Sequence, residues 1–158
     1  MSKEEQGMGN EFIEQRIINA VRGLLTGRVN ELLREAQFTI PLVEFGDYSG
    51  DNSVVPVITL ASCERTEKER IIQLDIYSMT VSITFPEGAE GELYCYAYSG
   101  AFGRAIYDDP TLGGVTERTV STTRLYIQPK KQHCGEGWRL QITLRIVVEG
   151  MGNERTGL

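Results

Sequence analysis

The most reactive side chains in this sequence belong to one histidine and three cysteines. His133 and Cys134 are adjacent, and a histidine beside a cysteine is the pairing that activates a thiol nucleophile. Adjacent side chains on an extended chain point in opposite directions, however, so these two do not face each other. With Cys63 and Cys95 they also lack the Cys-x-x-Cys spacing of a zinc site. We therefore interpret the pair as part of an exposed loop and expect no metal site.

Carboxylates and glycines offer two further kinds of chemistry, and neither pattern is complete. Asp108 and Asp109 could form a catalytic carboxylate pair or bind calcium, but no loop of alternating acidic residues follows them. Asp109 is better explained by the turn that starts at Pro110. The glycines of 100–103 and 113–114 match neither a phosphate-binding loop nor a dinucleotide fingerprint. The sequence thus predicts that the chain is no enzyme and has no catalytic residue and no cofactor.

The composition is that of an acidic globular protein. The chain has 158 residues, a net charge of −6 and a pI of about 4.9, and an acidic surface repels the phosphates of nucleic acid. The one pair of adjacent lysines, Lys130 and Lys131, is interpreted as a solvated turn. No apolar run approaches the roughly 20 residues that cross a bilayer, and residues 1–6 lack a signal-peptide core. We expect a cytosolic protein with reduced cysteines and no membrane partner.

Apolar stripes at helical spacing predict two helices. Asn10 is a good N-cap, Gly27 fits the C-cap position, and the stripe between them predicts a first helix at about 11–26. This stripe consists of Ile13, Ile17, Ala20, Val21 and Leu24. A stripe of aromatic residues at four-residue spacing predicts a second helix at 90–106.

The segment after the first helix is harder to assign. Residues 29–34 suit a helix or a strand, whereas 37–45 is more strand-like. Pro41 would confine such a strand to a sheet edge or to an irregular segment. A short strand is predicted at 55–60 and a polar turn at 63–68.

The most regular strand patterns lie later in the chain. Residues 71–85 predict a long strand in which the apolar residues change parity. They shift from Ile72, Leu74 and Ile76 to Met79, Val81, Ile83 and Phe85. A β-bulge near Tyr77 and Ser78 would restore a single buried face. Alternating residues predict two further strands, at 116–127 and 138–149.

These elements together predict an α+β fold, in which an antiparallel or mixed β-sheet with a long bulged strand packs against two α-helices. Residues 10–149 would form this single domain, which is large enough to bury a core without disulfides. A flexible arm at 1–9 and a flexible tail at 150–158 would flank it.

The connection that follows the second helix carries a resemblance. Its Asp-Pro pair stops a helix and starts a turn, and its Gly-Gly pair permits backbone angles closed to other residues. In their sequence and in their position between a helix and a strand, residues 108–115 resemble the corresponding segment of the tail-terminator (tail-completion) proteins of long-tailed bacteriophages. The resemblance extends loosely over 11–149 and includes Leu24–Val29 and Glu69–Ile72.

Membership of that family would imply a structural virion subunit without catalytic activity. Such subunits form rings, commonly hexameric, that cap the tail tube and join it to the head. The implied partners are further copies of the chain, a tail-tube protein and head–tail connector proteins, while DNA passes through an acidic lumen without specific binding. The implied location is the tail of the virion, after assembly in the cytoplasm of the bacterial host.

Subunit contacts of such a ring are expected in the loops at 46–53, 108–114 and 129–137. The candidate residues are Asp47, Tyr48, Asp51, Asp109, Thr111, Leu112, Lys130 and Lys131. Leu112→Asp is then expected to weaken ring formation and to leave the fold intact.

Two alternatives stay open at this point. Related folds serve as other head–tail or tail-tube subunits, so the place of the chain in a tail is not fixed. A small ligand-binding domain is the other alternative, with a pocket between the second helix and the sheet. Tyr94, Tyr98 and His133 would line that pocket.

Overall fold

Two helical units pack on one face of a four-stranded antiparallel sheet, as the predicted α+β fold requires. The computed structural model describes residues 12–46, 52–67, 72–130 and 137–150. The helical elements are α1 (Ile13–Leu24), a π-helical segment (Leu25–Val29), α2 (Asn30–Arg34) and α3 (Gly91–Asp108). The strands are β1 (Leu42–Val43), β2 (Ser53–Val54), β3 (Val57–Glu67), β4 (Gln73–Thr84), β5 (Arg118–Ile127) and β6 (Arg139–Gly150). The predicted arm at 1–9, Asn10 and residues 151–158 of the predicted tail lie outside the described residues.

The first helical unit is longer than predicted, because α1 continues through the π-helical segment into α2. Its buried apolar residues recur every fourth position, at Ile17, Val21, Leu25, Val29 and Leu33. An α-helix repeats every 3.6 residues, so a strict spacing of four drifts around the helix by about 40° per step. The wider π-turn reverses this drift, and all five side chains lie in the buried core. Gly27 is therefore not a C-cap: it lies inside the π-helical segment, and the helix ends at Arg34.

Asn30 closes the π-helical segment and holds β1. Its buried side-chain amide donates to the carbonyl of Thr26 (3.3 Å) and to that of Val43 (2.9 Å), while its Oδ1 accepts from the Val43 amide (2.9 Å). The side chain thus pairs with Val43 as a strand residue would. Of the strand-like stretch at 37–45, only the two residues of β1 form a strand, in parallel with β2.

The strand order β3-β4-β6-β5 places the two longest strands in the centre of the sheet. β4 pairs with β6 without a register shift, and its odd-numbered residues from Asp75 to Ile83 all face the helices. The bulge predicted at Tyr77 and Ser78 is therefore not in β4. It lies across the ladder in β3, where Ala61 is the extra residue, and β5 has a second bulge.

β4 keeps its parity because two polar side chains are buried with partners. The Tyr77 hydroxyl donates to Glu14 Oε2 (3.0 Å), and the carboxylate of Asp75 accepts two hydrogen bonds from Arg65 (2.7 and 3.1 Å). In an alternating sequence pattern, polar residues such as Tyr77 and Asp75 are taken to face solvent. The predicted bulge was therefore placed in the wrong strand. The polar turn predicted at 63–68 is also wrong as far as Glu67, since this stretch continues β3 as an exposed edge strand.

The aromatic side chains of α3 fill the space between this helix and the sheet. Tyr98 and Phe102 are at most 1% exposed, and the ring of Tyr98 lies 5.1 Å from that of Phe85. The Tyr98 hydroxyl donates to the carbonyl of Pro41. Tyr94 packs against the other side of Phe85 at 5.8 Å. The ligand pocket envisaged between α3 and the sheet is therefore occupied by core side chains.

Candidate assembly surfaces

The connection between α3 and β5, residues 109–116, folds around one carboxylate and is called the corner below. Leu112, Gly113 and Gly114 have φ angles of 50°, 69° and 89°, three consecutive left-handed residues. Their turn directs the Gly113 amide at Asp109, whose two carboxylate oxygens accept it at 2.9 and 3.1 Å. Thr111 donates to the same carboxylate (3.3 Å) and accepts from the Gly114 amide (3.2 Å). Asp109 therefore holds the corner through the Gly113 amide directly, and Thr111 links the same carboxylate to the Gly114 amide.

Leu112 anchors the corner to the core. Its side chain is 4% exposed although its backbone is left-handed. That conformation costs roughly 1–2 kcal/mol for a residue with a Cβ, and burial of the leucine side chain offsets it. The side chain is thus not available to a partner, and its burial indicates that Leu112→Asp would destabilise the fold instead of leaving it intact.

The predicted interface residues that the structure describes do not share one surface. Asp109 and Thr111 lie in the corner before β5, whereas Lys130 lies beyond the opposite end of the 10-residue strand, about 30 Å away at the usual rise of a strand. Asp47, Tyr48, Asp51 and Lys131 lie outside the described residues, as do His133 and Cys134. The described candidates therefore lie at the two ends of β5 and not in one patch.

A more continuous exposed surface runs along α3. Leu93, Tyr96 and Tyr107 are 50%, 50% and 82% exposed, and Gly100 lies between them with open space above it. These four residues form one row on the helix, which we call the α3 stripe. Their spacing of 3, 4 and 7 residues was available in the sequence, but the stronger aromatic stripe of the buried face concealed it.

Side chains of β5 hold the α3 stripe at the edge of the sheet. The rings of Tyr96 and Tyr126 meet edge-on with centroids 5.5 Å apart. The buried hydroxyl of Ser99 lies 2.9 Å from the Tyr126 hydroxyl and accepts from Arg124 Nη1 at 3.0 Å. Gly103 makes room for this arginine, since a Cβ there would lie 2.7 Å from Nη2. α3 is therefore fixed above β5, with its stripe facing outward.

The described helices cover little of β3, the strand at the other edge of the sheet. Ile58 and Leu60 face the helical side but remain half-buried, and Cys63 on the same side is exposed. Every residue from Ala61 to Glu67 is exposed. Within the described ranges, β3 and β5 each have a strand partner on one side only. Each therefore presents unpaired backbone groups along a free edge.

The face of the sheet away from the helices is rich in hydroxyl groups. Four threonines lie side by side across all four strands, in the order Thr59, Thr80, Thr143 and Thr123. Neighbouring strands are about 4.8 Å apart, so the row crosses the sheet as a line of small polar groups. Ser62, Ser78 and Ser82 lie in the rows on either side of it. Arg145 lies beside Ser78 in one of these rows, so the central strand β6 places a basic side chain on the same face.

The described residues contain no cluster of three histidine, cysteine, aspartate or glutamate side chains that could hold a metal ion. Burial, helped by Glu92, raises the pKa of the Cys95 thiol to about 11, which disfavours the reactive thiolate. Two open depressions of about 320 and 370 Å³ lie beside Arg139 and beside Phe38. None of the described helices is long and apolar enough to cross a membrane.

Comparison with models of protein families gives no match for this chain, and comparison with curated proteins gives no significant match. The surfaces described above are therefore the structural basis for a functional proposal.

Proposed function

We propose that this chain is a non-enzymatic structural subunit of a long-tailed phage or prophage, a tail terminator whose ring caps the tail tube and joins it to the head. The resemblance of residues 108–115, Leu24–Val29 and Glu69–Ile72 to that family supports the proposal. The structural observation that carries it is the pair of long free strand edges, 11 residues in β3 and 10 in β5.

The two edges lie on opposite sides of one sheet and differ in surroundings. A contact between unlike surfaces is heterologous, and it generates a ring when the rotation between subunits closes. A six-membered ring is the form that the family resemblance implies. The partners in this proposal are further copies of the chain, a tail-tube protein below the ring and head–tail connector proteins above it.

Passage of DNA places an electrostatic requirement on such a ring. The chain has a net charge of −6, and a surface of that sign does not retain the phosphate backbone. In the proposal DNA therefore passes the ring without specific binding, and the subunit becomes part of the virion tail after assembly in the host cytoplasm.

The test measures the mass of the assembly and its effect on the growth of tail tubes. Light scattering on a sizing column, over a range of concentrations, should show a hexamer that forms as the concentration rises. The tail-tube protein that this proposal implies should then polymerise into tubes of limited length in the presence of the ring, each with added density at one end in electron micrographs. Tubes that grow freely and bear no added density would contradict a terminator role.

The same assay separates the related alternative. A tail-tube or head–tail joining subunit of this fold would lengthen tubes or bind only connector proteins, and would not stop tube growth. No observation favours the ligand-binding alternative, because Tyr98 lies within the core and His133 lies outside the described residues.

A further inference from the structure

The two edge strands of the sheet, β3 and β5, differ in how far the helix layer covers them, and the two arrangements are complementary. At β5 the helix layer continues to the edge, and the α3 stripe exposes Leu93 and Tyr96 there. At β3 the helix layer does not reach the edge, so Ile58 and Leu60 remain only half-buried on the helical side. Among the described residues, the helix layer therefore reaches the edge strand β5 on one side of the molecule and leaves the edge strand β3 largely uncovered on the other.

We propose that β3 of a second copy adds to β5 and lies beneath the α3 stripe. The added strand would satisfy the free backbone groups of both edges, the recognition mode known as β-augmentation. It would also bring Ile58 and Leu60 against Tyr96 and Tyr126. The contact rests on the ring assembly proposed above and names the surfaces that form it.

Charge supports this choice of occupant. β5 carries Arg118 and Arg124 and has no acidic residue. β3 carries Glu64 and Glu67, while its one arginine, Arg65, is paired with Asp75 within the same chain. Opposite charge on the two edges favours a β3–β5 contact, whereas a pair of β5 edges or a pair of β3 edges would bring like charges together.

The contact can repeat without limit or close on itself. After β3 of one copy binds β5 of another, the first copy still has a free β5 and the second a free β3. Addition therefore continues until the last β5 meets the first β3. Chains with one edge blocked should stop this growth at a defined size.

Each edge can be blocked separately. In a Cys134→Ser background, a maleimide-linked polyethylene glycol on the exposed Cys63 blocks β3, because the other thiol, Cys95, is buried. Tyr96→Asp blocks the β5 side by placing a charge in the stripe. Phe12→Asp is the matched control, since Phe12 is an exposed aromatic residue (78%) at the start of α1 and outside the stripe.

Light scattering should show that the background chain and Phe12→Asp assemble, and that the two blocked chains are monomers. A mixture of the two blocked chains should give dimers and nothing larger, through the one remaining β3–β5 pair. Alkylation of Cys63 should slow about tenfold when nine in ten β3 edges are covered, because only free edges react.

Two results would overturn the contact. Assembly that proceeds with Cys63 modified, or that leaves Cys63 as reactive as in the monomer, would place the subunit contact elsewhere and leave the proposed ring function intact. A monomer at every concentration would exclude the contact between free chains. Capping of tail tubes would then decide the proposed function by itself.

Discussion

Regular structure is interrupted at the corner and at the π-helical segment. In each region one side chain binds backbone groups of the interruption, and we call this contact its closure. In the corner, the Asp109 carboxylate accepts the Gly113 amide that the left-handed backbone exposes. In the π-helical segment, the Asn30 amide binds one carbonyl of the helix and both backbone groups of Val43. The first closure is partly exposed and the second is buried. A buried closure should therefore be the more costly one to remove, because water cannot replace the lost partner.

The largest expected effect is that of Leu112→Asp, which tests the anchor of the corner. The substitution places a carboxylate at a position 4% exposed. Loss of the apolar side chain and burial of a charge should together cost more than about 4 kcal/mol of unfolding free energy. Thermal unfolding followed by circular dichroism would measure this, with Tyr107→Asp in the exposed stripe as the control that should unfold like the parent chain. A Leu112→Asp protein of unchanged stability would show that the corner is not anchored in the core.

Asn30→Ala should have the next largest effect, roughly 2–4 kcal/mol, because it leaves buried backbone groups of Val43 and Thr26 without their partner. Urea unfolding would give the value. Asn30→Asp is the informative companion, since a carboxylate can accept from the Val43 amide but cannot donate to either carbonyl. A cost below that of the corner variant described next would reverse the comparison between buried and exposed closures.

Asp109→Ala should cost about 1–2 kcal/mol, since water can reach the released Gly113 amide. Asp109→Asn keeps one acceptor oxygen and should cost less than the alanine variant. Chemical denaturation of the two variants side by side would measure the difference. Equal losses in both would assign the effect to the negative charge and not to the hydrogen bonds.

The smallest effects, of opposite sign, are expected from one glycine in each region. Gly27→Ala should stabilise the chain by about 0.5–1 kcal/mol, because Gly27 is helical and has open space around its Cα. Gly114→Ala should destabilise it by a similar amount, because its φ is +89° and disfavours a Cβ. Differential scanning calorimetry would resolve the two shifts in Tm. If Gly27→Ala instead destabilised the chain, the result would support the helix C-cap that the sequence predicts at Gly27.

These two regions also show what the sequence could and could not predict. The corner was predictable, because Asp-Pro and Gly-Gly restrict the backbone locally and need no information from elsewhere in the chain. The burial of Leu112 was not predictable, since it depends on how the core meets the turn. The π-helical segment has a local signal in its spacing of four, but Gly27 also matches a common helix stop, and the contact that decides between them comes from Val43.

The assembly surfaces follow the same division. The alternation of β6 predicts its buried face, and the fold class follows from the order of helices and strands. The free edges of β3 and β5 depend on strand order, which the sequence pattern leaves open. The α3 stripe could be predicted only once the buried side of that helix was known.

The spacing of buried residues in the first helical unit shows how this unit is related to a regular α-helix. Deletion of Gly27 would change the separations between Ile17, Val21, Leu25, Val29 and Leu33 from 4, 4, 4 and 4 to 4, 4, 3 and 4. The new average lies close to the 3.6 residues per turn of an ordinary α-helix. The unit thus has the form that a regular helix would take with one extra residue, and the π-helical segment is the place where that residue is accommodated.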